Sequence, residues 1–328
     1  MSLEKMKCFL KSVVCVILSL VVLASCKEEP ALPRPSAYWS GTTSTGLSTN
    51  VIHDLIIDKS GNLWAAFYEG RVGKYDGTGW ELLIPRSVSS TSSADMLFQD
   101  SQGNIWAAVR EGFKLYACKF DGENWTSEFL SENAVNGITE LANGNILFAM
   151  DYGGGYVFDG TDWSLWDCYG HCLGGMDAVF TDKTGVLWIG MRGNKVLKYD
   201  GATYSELDIP MEDNSSFGAD VVNFSQGSSG DVIACLDPGT AWRMKDGSWE
   251  RIIKDPTYEA GPALAALEDS KGRVWIGTSS KGVILVDGDK LVTYTINDKN
   301  ANISGIVENK NGDIFLGNAY GLFVYKYY

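Results

Sequence analysis

One unit recurs seven times along this chain. Its turn glycines are Gly61, Gly103, Gly144, Gly185, Gly230, Gly272 and Gly312, spaced 42, 41, 41, 45, 42 and 40 residues apart. Three residues after each stands a bulky apolar residue: Trp64, Trp106, Leu147, Trp188, Ile233, Trp275 or Phe315. A repeat of this period dictates the architecture, because each unit must be one supersecondary element that buries its faces against its neighbours.

Each part of the unit has a local cause. Asp58, Asp100, Asp182 and Asp269 stand three residues before their turn glycines. The carboxylate can accept backbone N–H groups and the glycine supplies φ > 0, so these read as hairpin turns. A calcium loop would need further oxygens at alternate positions, and these turns lack them. A second punctuation follows at Tyr75-Asp76-Gly77, Phe120-Asp121-Gly122, Phe158-Asp159-Gly160, Tyr199-Asp200-Gly201, Asp246-Gly247 and Asp287-Gly288. After it Trp80, Trp125, Trp163, Tyr204, Trp249 and Leu291 each open a further strand. Each unit is therefore four short strands, A to D; in the first they are 51–57, 63–67, 71–75 and 80–83. Four strands in about 40 residues is the period of a β-propeller blade.

The expected fold is all-β, a seven-bladed propeller. The last unit ends after strand C, while a surplus segment around Tyr38-Trp39-Ser40 precedes the first. Residues near 37–41 should complete the seventh blade and close the ring, which removes an open seam. Composition agrees: 37 glycines suit turns, and 11 Trp, 15 Tyr and 13 Phe suit strands.

The first 25 residues read as an address. Lys5, Lys7 and Lys11 precede an apolar run, 12–24, too short to span a membrane. Leu23-Ala24-Ser25-Cys26 then resembles a bacterial lipobox, which implies lipidation of Cys26, a linker over 26–36 and a propeller over 37–328. A plain secretory signal is the competing reading. Lys27-Glu28-Glu29 resembles the acidic surface-export tag of some Bacteroidota lipoproteins. The expected location is the cell envelope, lipid-anchored at the outer membrane. Removing residues 1–25 takes away three lysines and one glutamate, moving the net charge from −14 to −16. A nucleic-acid partner needs a cationic footprint and is excluded.

Four cysteines remain beyond Cys26. Cys118 and Cys235 fall inside expected strands and read as small buried residues. Cys168 and Cys172 lack zinc-knuckle spacing and a second Cys/His pair, so a local disulfide or two free thiols is expected rather than a metal site. No cofactor motif is present, and a monomer is expected.

Leu267-Glu-Asp-Ser-Lys-Gly-Arg-Val-Trp-Ile-Gly-Thr278 and Phe180-Thr-Asp-Lys-Thr-Gly-Val-Leu-Trp-Ile-Gly190 resemble the two-component regulator propeller repeats, found in periplasmic sensor regions of hybrid histidine kinases. The third and fifth units depart from that pattern. The resemblance implies a ligand- or partner-binding propeller. No transmembrane, kinase or DNA-binding segment follows the repeats in this sequence.

Propeller ligands sit at the axis, on the face made by the B–C loops and D–A crossings. The A–B turns are short and uniform, as scaffold turns should be, whereas the B–C loops vary. They carry Tyr68, Glu69, Arg71, Arg110, Glu111, Asp151, Tyr152, Arg192, Asp237 and Tyr320. Aromatic faces beside Arg and carboxylates suit a small polar ligand such as a saccharide, through stacking and bidentate hydrogen bonds. Arg71, Arg110 and Arg192 are expected to aim at one centre. A solvated rim of paired charges is the alternative, as is a surface that docks a partner protein. An enzyme of the lyase or lactonase type would need axial His and acids; His53 is the one histidine placed for it, and otherwise reads as a hydrogen-bonded channel residue. No catalytic residues are assigned.

Overall fold

The computed structural model describes residues 34–39, 51–87, 89, 91–172, 174–210, 218–254, 261–295 and 302–326. The chain divides into residues 35–326 and a second unit of residues 1–34 with 327–328. The expected signal segment, Cys26 and the expected linker up to residue 33 lie outside the described residues.

Residues 35–326 form a seven-bladed β-propeller, each blade a four-stranded antiparallel sheet. In the first blade strands A to D are Ile52–Ile57, Leu63–Phe67, Val72–Tyr75 and Trp80–Leu83. The last blade is ordered Arg34–Trp39, Gly321–Lys326, Ile314–Asn318, Ile303–Glu308. The N-terminal strand thus completes it, and begins and ends slightly earlier than residues 37–41. Cys168–Gly170, a single 3₁₀ turn, is the only helical segment among the described residues.

Burial follows from the ring. Strand B is covered on both faces by neighbouring blades: all five residues of Leu63–Phe67 are buried, as are those of Ile146–Met150 and Val274–Thr278. Strand D at the rim is half-exposed, as in Trp80–Leu83. The core is therefore a set of inter-blade layers. In one, Trp106 of the second blade meets Phe148 and Trp163 of the third edge-on, with ring centroids 6.1 Å away in both cases. Buried aromatics of this size dominate such layers energetically.

The turn aspartates do more than cap their turns. Asp58 Oδ1 accepts the Ser60 and Asn62 N–H groups while Oδ2 accepts the Trp64 indole N–H at 2.8 Å. Asp100 holds Trp106 at 2.9 Å, Asp182 holds Trp188 at 2.8 Å and Asp269 holds Trp275 at 2.9 Å. Aspartate and tryptophan occur together or not at all: the other three units pair Leu141 with Leu147, Gly227 with Ile233 and Asn309 with Phe315. Blade five has a physical reason. A Cβ on Gly227 would collide with the Glu268 side chain of blade six.

The same face carries bonds between blades. The Lys59 N–H donates to Gln99, Ser101 donates twice to Glu140, the Lys183 N–H donates to Gln226, and Ser270 donates twice to Glu308. Each runs from an A–B turn to the last residue of the next inner strand.

Candidate functional site

The inner strands are Ile52–Ile57, Ser92–Gln99, Val135–Glu140, Ala178–Thr181, Asp220–Gln226, Ala263–Glu268 and Ile303–Glu308. Each packs against the next around the axis. In six blades the A–B ladder slips by one residue near its start, a β-bulge. The extra residues are His53, Asp95, Asn136, Val222, Leu264 and Ser304. Asp177 takes the equivalent place in blade four, just before its inner strand. All seven are half-buried, and each follows a buried residue. An inner strand is covered on its faces by adjacent blades and on its outer side by strand B, so the exposed side of these residues is the axial channel. Bulges re-aim side chains in this way beside functional sites.

Two charged clusters stand at this mouth. In the first, Arg110 Nε donates to Asp95 Oδ2 at 2.9 Å, and Ser93 Oγ donates to Asp95 Oδ1 at 2.5 Å. His53 Nδ1 of the neighbouring blade lies 4.0 Å from the same carboxylate, and the Tyr68 ring stacks on the imidazole at 6.4 Å and 20°. Burial holds the His53 pKa below its usual value, with Asp95 opposing and Arg110 assisting. His53 Nε2 is buried without a partner among the described residues. The expected hydrogen-bonded channel histidine is thus left open at one nitrogen.

In the second cluster, Arg192 lies 3.4 Å from Asp151, 3.9 Å from Asp177 and 3.5 Å from the Tyr152 hydroxyl. These contacts are long for charge-assisted hydrogen bonds. Burial, helped by Asp220 and Asp151 and opposed by Arg192, pushes Asp177 up to about 6. The first cluster is closed and tight, whereas the second has more carboxylate than guanidinium.

The D–A crossing into blade four builds the second cluster. It contains the Cys168–Cys172 disulfide, both residues buried among Leu147, Met176 and Leu187. The Met176 N–H donates to the Met150 carbonyl and the Asp177 N–H to the Gly190 carbonyl. Gly175 is required here: it sits at φ 96°, and a Cβ would collide with the Asp151 carbonyl oxygen. Cys118 and Cys235 are buried free thiols, and burial pushes both up to about 12.

The structure gathers some loop residues named from sequence and scatters others. Tyr68 and Arg110 join the first cluster, and Asp151, Tyr152 and Arg192 the second. The three arginines do not share one centre. Arg110 lies within strand B (Ile105–Glu111), which is longer in this blade than its equivalents, and pairs back onto its own inner strand. Arg71 enters neither cluster. Glu111 pairs at 2.9 Å with Arg86, whose guanidinium lies 3.4 Å from the centroid of the Tyr116 ring. Tyr320 donates its N–H to Asn318, Glu69 donates its N–H to the Ser92 carbonyl, and Asp237 pairs across the ladder with Asp220.

Asp95, Asn136, Asp177, Val222, Leu264 and Ser304 were not singled out by motif. A positional signal does exist: each bulge residue stands eleven residues before the marker residue of its blade, as His53 does before Trp64. Open grooves also lie between blades at the rim. One of about 480 Å³ is lined by Trp106, Tyr156 and Trp163, and one of about 710 Å³ by Trp80, Phe315 and Leu322. They follow from the wedge shape of paired blades and hold no comparable convergence of charge.

Residues 258–280 match the two-component regulator propeller family model. Among solved structures, two extracellular domains of two-component systems from B. thetaiotaomicron are similar. One has a TM-score of 0.70 at 13% identity, covering 87% of this chain and 39% of that one. The other has a TM-score of 0.66 at 16% identity, covering 86% and 40%. This chain therefore spans about two-fifths of the length of those domains. Virginiamycin B lyase from Staphylococcus aureus is similar at a TM-score of 0.67 and 15% identity, covering 86% of this chain and 96% of that one. No curated protein sequence matches the chain.

Proposed function

We propose that this chain, a seven-bladed β-propeller carrying a two-component regulator propeller repeat, is a non-enzymatic binding module of the cell envelope. Its site is the axial mouth on the B–C loop face, and its ligand a small polar molecule of the saccharide class. The observation that carries this reading is the convergence of side chains from five blades on one face: His53, Asp95, Arg110, Asp151, Asp177, Arg192 and Asp220. Each sugar hydroxyl both donates and accepts, which suits mixed guanidinium, carboxylate and phenol chemistry. A lipid on Cys26 would hold the domain at the outer membrane, following the Leu23-Ala24-Ser25-Cys26 sequence.

A glycan array followed by calorimetry on Arg192→Ala and Tyr152→Ala tests the site, with Asp76→Ala on the opposite face as the control. Equal weakening by the control would place the site elsewhere. Palmitate labelling of wild type and Cys26→Ala tests the anchor; unchanged labelling would remove it.

A second reading is a propeller enzyme, favoured by one observation. Burial holds the His53 pKa down, and its Nδ1 lies 4.0 Å from the Asp95 carboxylate, a histidine and an acid of the kind used in general acid–base catalysis. Loss of a measured turnover in His53→Ala, with binding retained, would support that reading over simple binding.

A further inference from the structure

The seven channel residues are not evenly mixed around the axis. Starting from blade seven, Ser304, His53, Asp95, Asn136 and Asp177 form an unbroken polar arc over five consecutive blades. Blades five and six complete the circle with Val222 and Leu264. The division belongs to the inner strands and not to the loops above, since blade five contributes Asp220 to the second cluster. Both charged clusters draw on residues of blades one to five, while the B–C loop of blade six offers Ser279, Ser280 and Lys281.

Several polar members are already committed to the frame. Ser304 Oγ donates to the Ile52 carbonyl at 2.8 Å, and Asn136 Nδ2 donates to the Met176 carbonyl at 3.0 Å. These bonds join adjacent inner strands, so polarity at those two places serves ring closure. Blades five and six do the same job without a polar bulge residue: their inner strands pack directly, and Val222, half-buried, packs in part on the hydrophobic cluster between these two blades. The channel wall there is half-buried aliphatic surface beside an arc of hydrogen-bonding groups. A ligand polar on every side would leave hydroxyls against that wall without partners, at the cost of unmatched desolvation.

We infer that the axial ligand is two-sided: a hydroxylated head over blades one to four and an apolar substituent against Val222 and Leu264, as in an alkyl or aryl glycoside. This rests on the axial saccharide reading above and adds which side of the sugar carries the apolar group. The two charged clusters hold the head, and the aliphatic wall gains from covering the substituent. Burying roughly two methylenes is worth about ten-fold in affinity.

Calorimetry on the full chain with matched methyl and octyl β-glucosides, β-galactosides and β-maltosides, below their micelle concentrations, tests this. The octyl member of the pair whose head binds should bind at least about ten-fold tighter than the methyl member, the effect of burying two methylenes. Val222→Asn with Leu264→Asn should bring the octyl-to-methyl affinity ratio to about one; Val222→Ala with Leu264→Ala, the milder pair, should reduce it. Equal binding of methyl and octyl glycosides, or equal loss of both in the variants, would overturn the inference while leaving the saccharide reading intact. Binding of none of the six would overturn both.

Discussion

The two faces of this propeller use the same residue types to opposite ends. On the A–B turn face, Asp58, Asp100, Asp182 and Asp269 make one motif four times, each binding its own turn and a buried indole. On the B–C face, Asp95, Asp151, Asp177 and Asp220 occupy four blades and have four different environments. Titration separates the faces further. Burial raises the pKa of Asp58, Asp182 and Asp269, but hydrogen bonds outweigh it and hold each below the usual range: from Trp64 and Asn62 at Asp58, from Thr184 and Trp188 at Asp182, from Arg273 and Trp275 at Asp269, and from the backbone at all three. Asp177 is pushed the other way, to about 6. Chemistry that repeats from blade to blade is scaffold, because every blade has the same packing problem; chemistry that does not repeat marks where the ring has another task.

The largest break in this contrast is expected from Asp269→Ala. The carboxylate is fully buried and accepts from Lys271, Arg273 and Trp275. Its removal takes two hydrogen bonds from a buried guanidinium and one from an indole N–H, which costs about 3–5 kcal/mol in urea unfolding at pH 7. Because the folded pKa is depressed, the contribution is fully present above the unfolded value near 4. It is lost as pH falls through the folded pKa, so the variant and wild type should converge in acid. A constant difference down to low pH would refute the electrostatic part.

On the loop face the covalent element comes next. Replacing Cys168 and Cys172 together by alanine releases the crossing that delivers Asp177. The closed loop is short, so about 2 kcal/mol is expected from chain entropy. The Asp177 carboxyl should also move toward an ordinary value in a carbon-13 titration, since its neighbours are set by that crossing. An unchanged titration would show that the hydrogen bonds of Met176 and Asp177 hold the cluster without the disulfide.

Periodicity made the blades, turns and ring closure legible, because each rests on a local rule repeated seven times. Tryptophan and aspartate were both visible as markers, but the bond between them was not: six residues separate them, and only the folded turn brings the indole back to the carboxylate. The channel residues kept a fixed offset but took six different identities over seven blades, so no motif pointed to them. Arg71, Arg110 and Arg192 failed in the opposite way. They hold similar loop positions, but strand B of blade two runs further and turns Arg110 toward Asp95.

Asp177→Asn should stabilise the fold, unlike a substitution of any turn aspartate that holds an indole. Below about pH 4 both folded and unfolded forms carry the proton and the group contributes nothing. Between about 4 and 6 the folded chain holds a proton that the unfolded chain has released, so stability falls as pH rises. Above 6 the full cost of the buried carboxylate is present, about 1–2 kcal/mol after allowance for its partial exposure. The variant should gain that amount at pH 7.5 and nothing at pH 3.5 in paired urea titrations. A loss at pH 7.5 would mean that the Arg192 contact outweighs burial and repulsion by Asp220.

The smallest stability effect is expected at Arg192, and it sharpens the contrast most. Its side chain is 53% exposed, its ion pairs are 3.4 and 3.9 Å long, and its guanidinium lies 5.4 Å from the centroid of the Tyr152 ring. Exposed pairs of this length contribute little, since solvent screens them and ordering the side chain costs entropy. Arg192→Ala should therefore melt close to wild type, lower only by the small cost of leaving Asp177 less compensated. Its removal also takes away the guanidinium that opposes the repulsion of Asp177 by Asp220 and Asp151, so the Asp177 carboxyl should titrate higher still. If the second cluster holds ligand, affinity should drop while the melting temperature changes little, a separation that Asp58, Asp100, Asp182 and Asp269 cannot show. A variant that loses stability and affinity together would return Arg192 to the scaffold and leave the two faces distinguished only by the regularity of their turns.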